Sequence, residues 1–371
     1  MKRVIHIVGR MNRAGAETML MNLYRKLDRE KFQFDFVYFT EEECDYDKEI
    51  IKLGGRIFKI SPIQYKNPIS RTIALYKLIK KESPFHAIHC HQMFSNALHL
   101  IAGYYGGLKM RIAHSHNTSD ANSNKIIGKI YHSVSKVIIS MYATDYIACG
   151  EKAAKYLFPK SDKVTFLPNA IDLDNFINEN DKQRNLVLKT KSLNKDTIII
   201  TQIGRLSPVK NHNFTLNFAK FLKEHNFKFH LAIVGGGILE SELKVLANKL
   251  DIENYVTFCG VRSDINIVLN NSDIMIMPSF HEGFPVVLVE SQACSTPSII
   301  STNISNEVDL GMGLIHFCSL DDDFNIWFNK LKEALNNSKV SIKTRKEVLS
   351  KHGYNINLSV KNLEMFYEKR K

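Results

Sequence analysis

One stretch, Ile274 to Glu290 (IMIMPSFHEGFPVVLVE), constrains the fold of this chain more than any other. The apolar run Ile274–Met277 has the length of a buried strand and stops at Pro278, which cannot donate to a ladder. A polar turn containing Gly283 follows, and Pro285 suits the first position of a helix, where its missing N–H is not needed. Strand, loop and helix in that order form the repeating unit of a parallel α/β sheet. The helix start offers unpaired N–H groups to an anion, most naturally a phosphate. Glu282 stands just before that start. Glu290 comes five residues after Pro285, about 7.5 Å further along at 1.5 Å per residue. With a diphosphate over the helix start, one carboxylate can accept hydroxyls on one side of it and the second on the other. Hexose, diphosphate and ribose follow one another in this way in a nucleotide sugar. Glutamates eight apart are common on solvated helix faces, so the spacing carries weight only in this strand–loop–helix context.

The rest of the second half repeats the unit. Thr197–Ile203 is a β-branched buried strand running into Gly204-Arg205-Leu206, with Lys210 five residues after Arg205. Two cations at the end of a parallel strand can clamp two phosphates, the arginine as a fork and the lysine as a point charge. Leu231–Gly237 is a strand and glycine turn without the Gly-x-Gly-x-x-Gly dinucleotide spacing. Val256–Gly260 is a further strand and turn, and Ser298–Ser301 is the last strand expected. The end, 354–371, is expected to be helical.

The first half alternates in the same way. After the strand Val4–Val8 comes a loop to Gly15, whose lack of a side chain permits close ligand approach. A helix follows with Met19, Leu20, Leu23 and Leu27 apolar; Glu17 complements its N-terminal dipole. Phe34–Phe39 is a second strand. Asp45-Tyr46-Asp47 sits in an acidic run that is expected to be solvated rather than a metal site. His89-Cys-His91 and His114-Ser-His116 end two further strands. Residues i and i+2 share a strand face, so three readings stand: zinc chelation, buried satisfied histidines, or contact with a ligand. The helix expected over 125–139 has an apolar face and a lysine face; it either packs on its own domain or lies on a membrane surface. Residues 178–196 are polar and charged, as in a linker.

At 371 residues, 44% hydrophobic and 24% charged, the chain is expected to form two soluble domains. No run reaches the roughly 20 apolar residues of a membrane span, and Val4–Val8 is too short for a signal peptide. Six scattered cysteines without a Cys-x-x-Cys pair fit a reducing cytoplasm. Of the net charge of +12, residues 1–185 carry +9 (28 Lys+Arg against 19 Asp+Glu). A basic half implies an anionic partner. Nucleic acid is not expected, since no nucleic-acid motif is present; an anionic membrane surface or a phosphorylated substrate is.

Several of these segments carry a family resemblance. Glu282 to Glu290 resembles the Glu-x7-Glu motif of the retaining group 1 (family 4 type) glycosyltransferases. Gly204-Arg205-Leu206 with Lys210-Asn211, Ala14-Gly15-Ala16-Glu17, and Asn169-Ala170-Ile171-Asp172 resemble three more of its motifs, with Ala14 and Ala170 standing where glycines are usual. The resemblance implies an α/β GT-B fold, two Rossmann-like domains facing across a cleft. Residues 1–172, completed by a helix over 355–371, would form the acceptor-side domain, and 190–354 the nucleotide-sugar-binding domain. It implies transfer of a hexosyl unit from a nucleotide diphosphate sugar, a UDP-sugar by preference, to a hydroxyl of a glycan or lipid-linked acceptor. The transfer would proceed with retention and without metal or other cofactor. Arg205 and Lys210 would stabilise the leaving diphosphate, Glu282 would orient the hexose and Glu290 would hold the ribose. His116 best matches the histidine that approaches the donor sugar, with His114 the alternative. Gly15, Ala16, Asn169, Gly260, Gly283, Phe284 and Pro285 would line the substrates. An epimerase of the same fold, or a non-catalytic nucleotide- or glycan-binding module, are the alternatives.

Overall fold

The computed structural model describes residues 1–117, 126–159, 163–177, 196–336 and 339–369. The linker expected over 178–196 therefore lies, apart from Asp196, outside the described residues. The chain forms two compact units, Met1–Ile171 with Gly353–Lys371, and Asp172–His352.

The first unit runs β1 (Lys2–Ile7), α1 (Gly15–Lys26), β2 (Phe32–Tyr38), α2 (Asp47–Lys52), β3 (Ile57–Lys59), α3 (Pro68–Glu82), β4 (Ala87–Cys90), α4 (Asn96–Tyr105), β5 (Met110–Ser115), α5 (Ile126–Tyr142), β6 (Asp145–Ala148), α6 (Glu151–Leu157) and β7 (Val164–Phe166). The strands pair in parallel in the order β3-β2-β1-β4-β5-β6-β7. Alternation buries both faces, as a sheet covered on both sides requires. Val4, Phe34, Phe36 and Ile112 enter one core, while Ile5, Ile7, Val37 and Ile88 enter another. The C-terminal helix Ile356–Glu368 closes the first core with Ile356, Leu363 and Tyr367. Its Asn355 caps it by accepting from the Asn357 N–H.

The second unit builds a six-stranded parallel sheet from β8 (Ile198–Ile203), β9 (Phe229–Val234), β10 (Val256–Gly260), β11 (Ile274–Met277), β12 (Ser298–Ser301) and β13 (Ile315–Cys318), in the order β10-β9-β8-β11-β12-β13. Ile200, Leu231 and Ile276 face one core around Trp327; Ile199, Val234 and Met275 face the other. Ser298–Ser301 is therefore not the last strand, because β13 extends the edge beyond it. Pro285 also differs from expectation. It is the N-cap of the helix Val286–Ala293, in extended conformation, rather than the first helical residue.

In both units the strand order reverses at one place, between β1 and β4 and between β8 and β11. Loops leaving two adjacent strands diverge there and leave a crevice at the strand C-termini.

The α5 helix packs on its own unit through His132, Ser135 and Ile139. Its apolar residues Ile126, Ile127, Ile130, Val134 and Val137 are exposed instead of packing on their own unit; Lys125 lies outside the described residues.

Candidate active site

At the β8/β11 reversal, the loop after β8 carries Arg205 and Lys210 and the loop after β11 carries Glu282. The two loops are joined by the Phe280 N–H donating to the Val209 carbonyl at 2.9 Å and by Lys210 Nζ donating to Glu282 Oε1 at 2.6 Å. The sequence places these charges 72 residues apart; the sheet makes them an ion pair, with 18% and 11% of their side chains exposed. Arg205 is exposed and makes no ion pair among the described residues. The Gly235–Gly237 turn seats this loop. A Cβ on Gly235 would come within 2.0 Å of the Gly204 carbonyl oxygen, and one on Gly237 within 2.4 Å of that of Leu206. The glycine turn thus has a packing role.

Glu290 is the fifth residue of the helix Val286–Ala293. Burial pushes its carboxyl up to about 7, the response of an acid largely withdrawn from water with no compensating charge, although the residue keeps partial exposure. Its side chain accepts no hydrogen bond among the described residues, while its backbone carbonyl accepts from the Cys294 N–H. Gly260 (φ +65°) and Gly283 both border open space, while Pro285 is buried; Phe284 packs against the core that contains Leu288.

Sequence reasoning passed over several polar groups here. Both ring nitrogens of His212, Ser279 Oγ and Gln202 Oε1 are buried without partners among the described residues. They sit at the ends of β8 and β11 or at the start of the helix His212–Glu224. Orphaned buried polar atoms at a strand end are the kind of signal a bound ligand would answer, and only the folded arrangement reveals it.

The reversal between β1 and β4 in the first unit holds a pocket of about 570 Å³ lined by residues that include Gly9, Arg10, Ala16, Glu17, His91 and Asn117. Gly15 opens α1 beside it with open space around its Cα. Asn169 lies in the loop after β7, buried, with Oδ1 unpartnered.

Behind the pocket, alternation and register collect five histidines on one sheet face. His6 pairs in register with His89, His91 follows His89 by an i+2 step, and His114 and His116 make a second i+2 step at the end of the neighbouring β5. His116 Nε2 lies 2.8 Å from His91 Nδ1, and His91 Nε2 lies 3.0 Å from His6 Nδ1. In a second line, His114 Nδ1 is 3.1 Å from His89 Nε2, and His89 Nδ1 is 2.8 Å from the Tyr367 hydroxyl. Burial holds all five well below the ordinary histidine range, His116 at about 4, so each is neutral near pH 7. His114 is fully buried, while His116 keeps partial exposure at the end of the line. The groups His6, His89, His91 and His91, His114, His116 each bring ring nitrogens within 4.8 Å of one another, which makes them the metal-capable sets among the described residues. Asp45 and Asp47 serve local structure instead: Asp45 accepts from the Arg13 N–H at 3.0 Å, and buried Asp47 accepts from the Tyr38 hydroxyl and the Cys44 N–H.

Two doubly wound parallel sheets, each with polar groups gathered at its reversal, are the fold class of GT-B architecture. Residues 13–175 match the family described as Glycosyltransferase Family 4, and 184–311 match Glycosyl transferases group 1. A putative glycosyltransferase, EpsF of Bacillus subtilis (strain 168), is 37% identical over 97% of this chain and 94% of its own. The UDP-Gal:alpha-D-GlcNAc-diphosphoundecaprenol alpha-1,3-galactosyltransferase of Escherichia coli is 25% identical over 80% of this chain and 78% of its own. In fold, the chain is similar to Anabaena Alr3699/HepE, solved with UDP and glucose: TM-score 0.77, 13% identity, 99% of this chain and 100% of that one. The chain belongs to the group 1, family 4 type glycosyltransferases, and it is a glycosyltransferase.

Proposed function

We propose that this enzyme moves a hexosyl unit from a UDP-sugar to a hydroxyl of a glycan or lipid-linked acceptor during surface polysaccharide synthesis. Transfer proceeds with retention and without a metal, in the cytoplasm at the inner face of the membrane. The observation that carries the reading is the β8/β11 reversal, where two adjacent strand–loop–helix units bring Arg205 and the Lys210–Glu282 pair to the strand ends, with an uncompensated Glu290 in the helix that follows. Arg205 and Lys210 stabilise charge developing on the leaving diphosphate. Glu290 accepts the ribose hydroxyls, which exchanges its lost hydration for charge-assisted hydrogen bonds. Glu282, released from Lys210 as the phosphate arrives, orients the hexose. The bond from the anomeric carbon to phosphate oxygen breaks, the acceptor oxygen bonds to the same face, and its proton passes to the departing phosphate. This path needs no side-chain nucleophile. Neutral His116 and the pocket containing Ala16 meet the sugar by hydrogen bonding, and Asn169 offers its free Oδ1.

The UDP preference is supported by the donor in the E. coli relative's name and by the ligands of the HepE structure. The acceptor class is supported by that relative's diphosphoundecaprenol substrate and by a Staphylococcus aureus relative named for capsular polysaccharide biosynthesis. A panel of nucleotide sugars, offered with lipid-diphosphate-linked and free saccharide acceptors, tests the reading by product mass spectrometry and anomeric NMR. Retention with a UDP-sugar is expected; an inverted product, or no transfer from any UDP-sugar, refutes it.

A further inference from the structure

The helix α5 is inside out. At about 100° per residue, Ile126, Val137, Ile130, Met141, Val134 and Ile127 fall on one stripe roughly 100° wide. All six are exposed, Ile127 by 82%, Ile126 by 78% and Met141 by 68%. The opposite face, which packs on the unit, is the more polar one: His132 and Ser135 are buried there with Ile139, and the His132 ring stacks on Phe94 at 3.8 Å. A helix that needed only to fold onto its sheet would turn the stripe inward. Contiguous exposed apolar stripes of this kind mark interaction surfaces.

The surroundings select the partner. Exposed Lys129 and half-buried Lys136 flank the stripe on one side, and Lys136 is held over the Phe94 and Tyr156 rings. Exposed Tyr104 and Tyr105 close the end of α4, with Tyr104 lying 5.3 Å from Tyr142 at the end of α5. Tyrosines with polar tips and apolar bodies suit a bilayer interface. Residues 51–144, which contain α3, α4 and α5, carry 13 Lys+Arg against 2 Asp+Glu, a net +11. A second copy docking on the stripe would bring two such basic surfaces together and be repelled. An anionic bilayer attracts them and takes up the stripe.

We propose that α5 docks this enzyme on anionic lipid, lying in the headgroup region with Ile127, Ile130 and Val134 inserted. The proposal deepens the lipid-linked-acceptor reading, on which its purpose rests, but its test does not need the acceptor. The full chain is sedimented with phosphatidylcholine vesicles with and without phosphatidylglycerol, at low and high salt. Binding to the anionic vesicles, weakened by salt, is expected. Ile127→Ser/Val134→Ser should weaken it at least about tenfold, and Lys129→Gln should weaken it less. These positions are exposed, so an unchanged circular dichroism melt and unchanged transfer to a soluble acceptor separate lost docking from lost folding. No binding to anionic vesicles overturns the proposal. So does equal binding to neutral ones, binding unaffected by the double substitution, or α5-dependent self-association in sedimentation velocity without lipid. A chain that binds vesicles yet transfers no sugar would sink the proposed function and leave the docking helix standing.

Discussion

Substituting Glu290 by Gln should weaken nucleotide binding and stabilise the empty protein at the same time. Burial raises this carboxyl from an ordinary 4.5 to about 7. The shift corresponds to an upper value of about 3 kcal/mol by which ionisation destabilises the folded state. The sign follows from the direction. A carboxyl raised in the folded state contributes its stability below the unfolded value, and the contribution is lost as pH rises through 7. At pH 8, Glu290→Gln, which carries no charge, should therefore melt several degrees higher than the natural protein, and at pH 5 the difference should shrink. Ribose hydroxyls donate to the ionised form, so binding should pull the carboxyl back toward its ordinary value and release protons. At pH 7 a half-protonated carboxyl releases about 0.5 proton, and affinity should fall about tenfold between pH 8 and pH 6. Titration calorimetry of UDP in two buffers of different ionisation enthalpy counts those protons. The terminal phosphate of UDP titrates in both proteins, so the difference between natural and Glu290→Gln protein isolates the glutamate. Glu290→Gln should also weaken UDP by roughly 10- to 150-fold, the loss of about 1.5–3 kcal/mol of charge-assisted hydrogen bonding. A variant that melts lower at pH 8 and binds UDP with the natural affinity and proton count would refute the reasoning. Glu290 would then be only a packed residue of its helix.

Four further outcomes are expected. Arg205→Ala and Lys210→Ala should each lower turnover at least about 10²-fold with folding intact, and near-natural rates in both would remove the phosphate clamp. Glu282→Gln should leave the Lys210 ammonium unpaired and so bind UDP at least as tightly as the natural protein while transfer falls; weaker UDP binding in calorimetry would contradict this division. Transfer should survive EDTA, and loss restored by added metal would turn attention to the two histidine triads. The buried histidines are held neutral, so the unfolded chain takes up protons first as pH falls below about 6.5. The stability they contribute is present above that value and is lost toward pH 4. Scanning calorimetry should therefore show a lower midpoint at pH 5 than at pH 7.5, and an equal or higher one would contradict their neutrality.

Much of the fold was legible because its central strands are largely buried and hence written as short, mainly apolar and β-branched runs. Thr197–Ile203 and Ile274–Met277 need no partner to be recognised. The edges were not legible in the same way. β3 and β7 have three residues each, half-exposed, and exist through register, as where Ile57 pairs with Phe36; β13 is likewise an edge. Glu282, Lys210 and Arg205 could be named because each follows a recognisable strand. Their meeting could not be read, since it depends on β8 and β11 being neighbours across 72 intervening positions. His6 was hidden for the same reason. In sequence it is one polar residue in an apolar strand, and only its pairing with His89 makes it part of a line of rings. The periodicity of α5 was plain, but a periodicity has no sign: it gives the stripe and leaves open whether core or solvent receives it.

The two reversals share one topology and differ in charge, and that difference supports the proposed division of roles. Around the first pocket Arg10 is offset by Glu17, and the histidines behind it are neutral. Such a wall can exchange hydrogen bonds with hydroxyls, and its lining carries one cation and one carboxylate. At the second reversal, Arg205 is free of ion pairs among the described residues and Lys210 is bound only to a carboxylate that a phosphate can replace. The ion pair links the two loops, which in the proposed mechanism lowers the entropy lost on binding. In the proposed mechanism Glu282 would become available to a sugar once an anion has taken Lys210, which would tie sugar orientation to the presence of the leaving group.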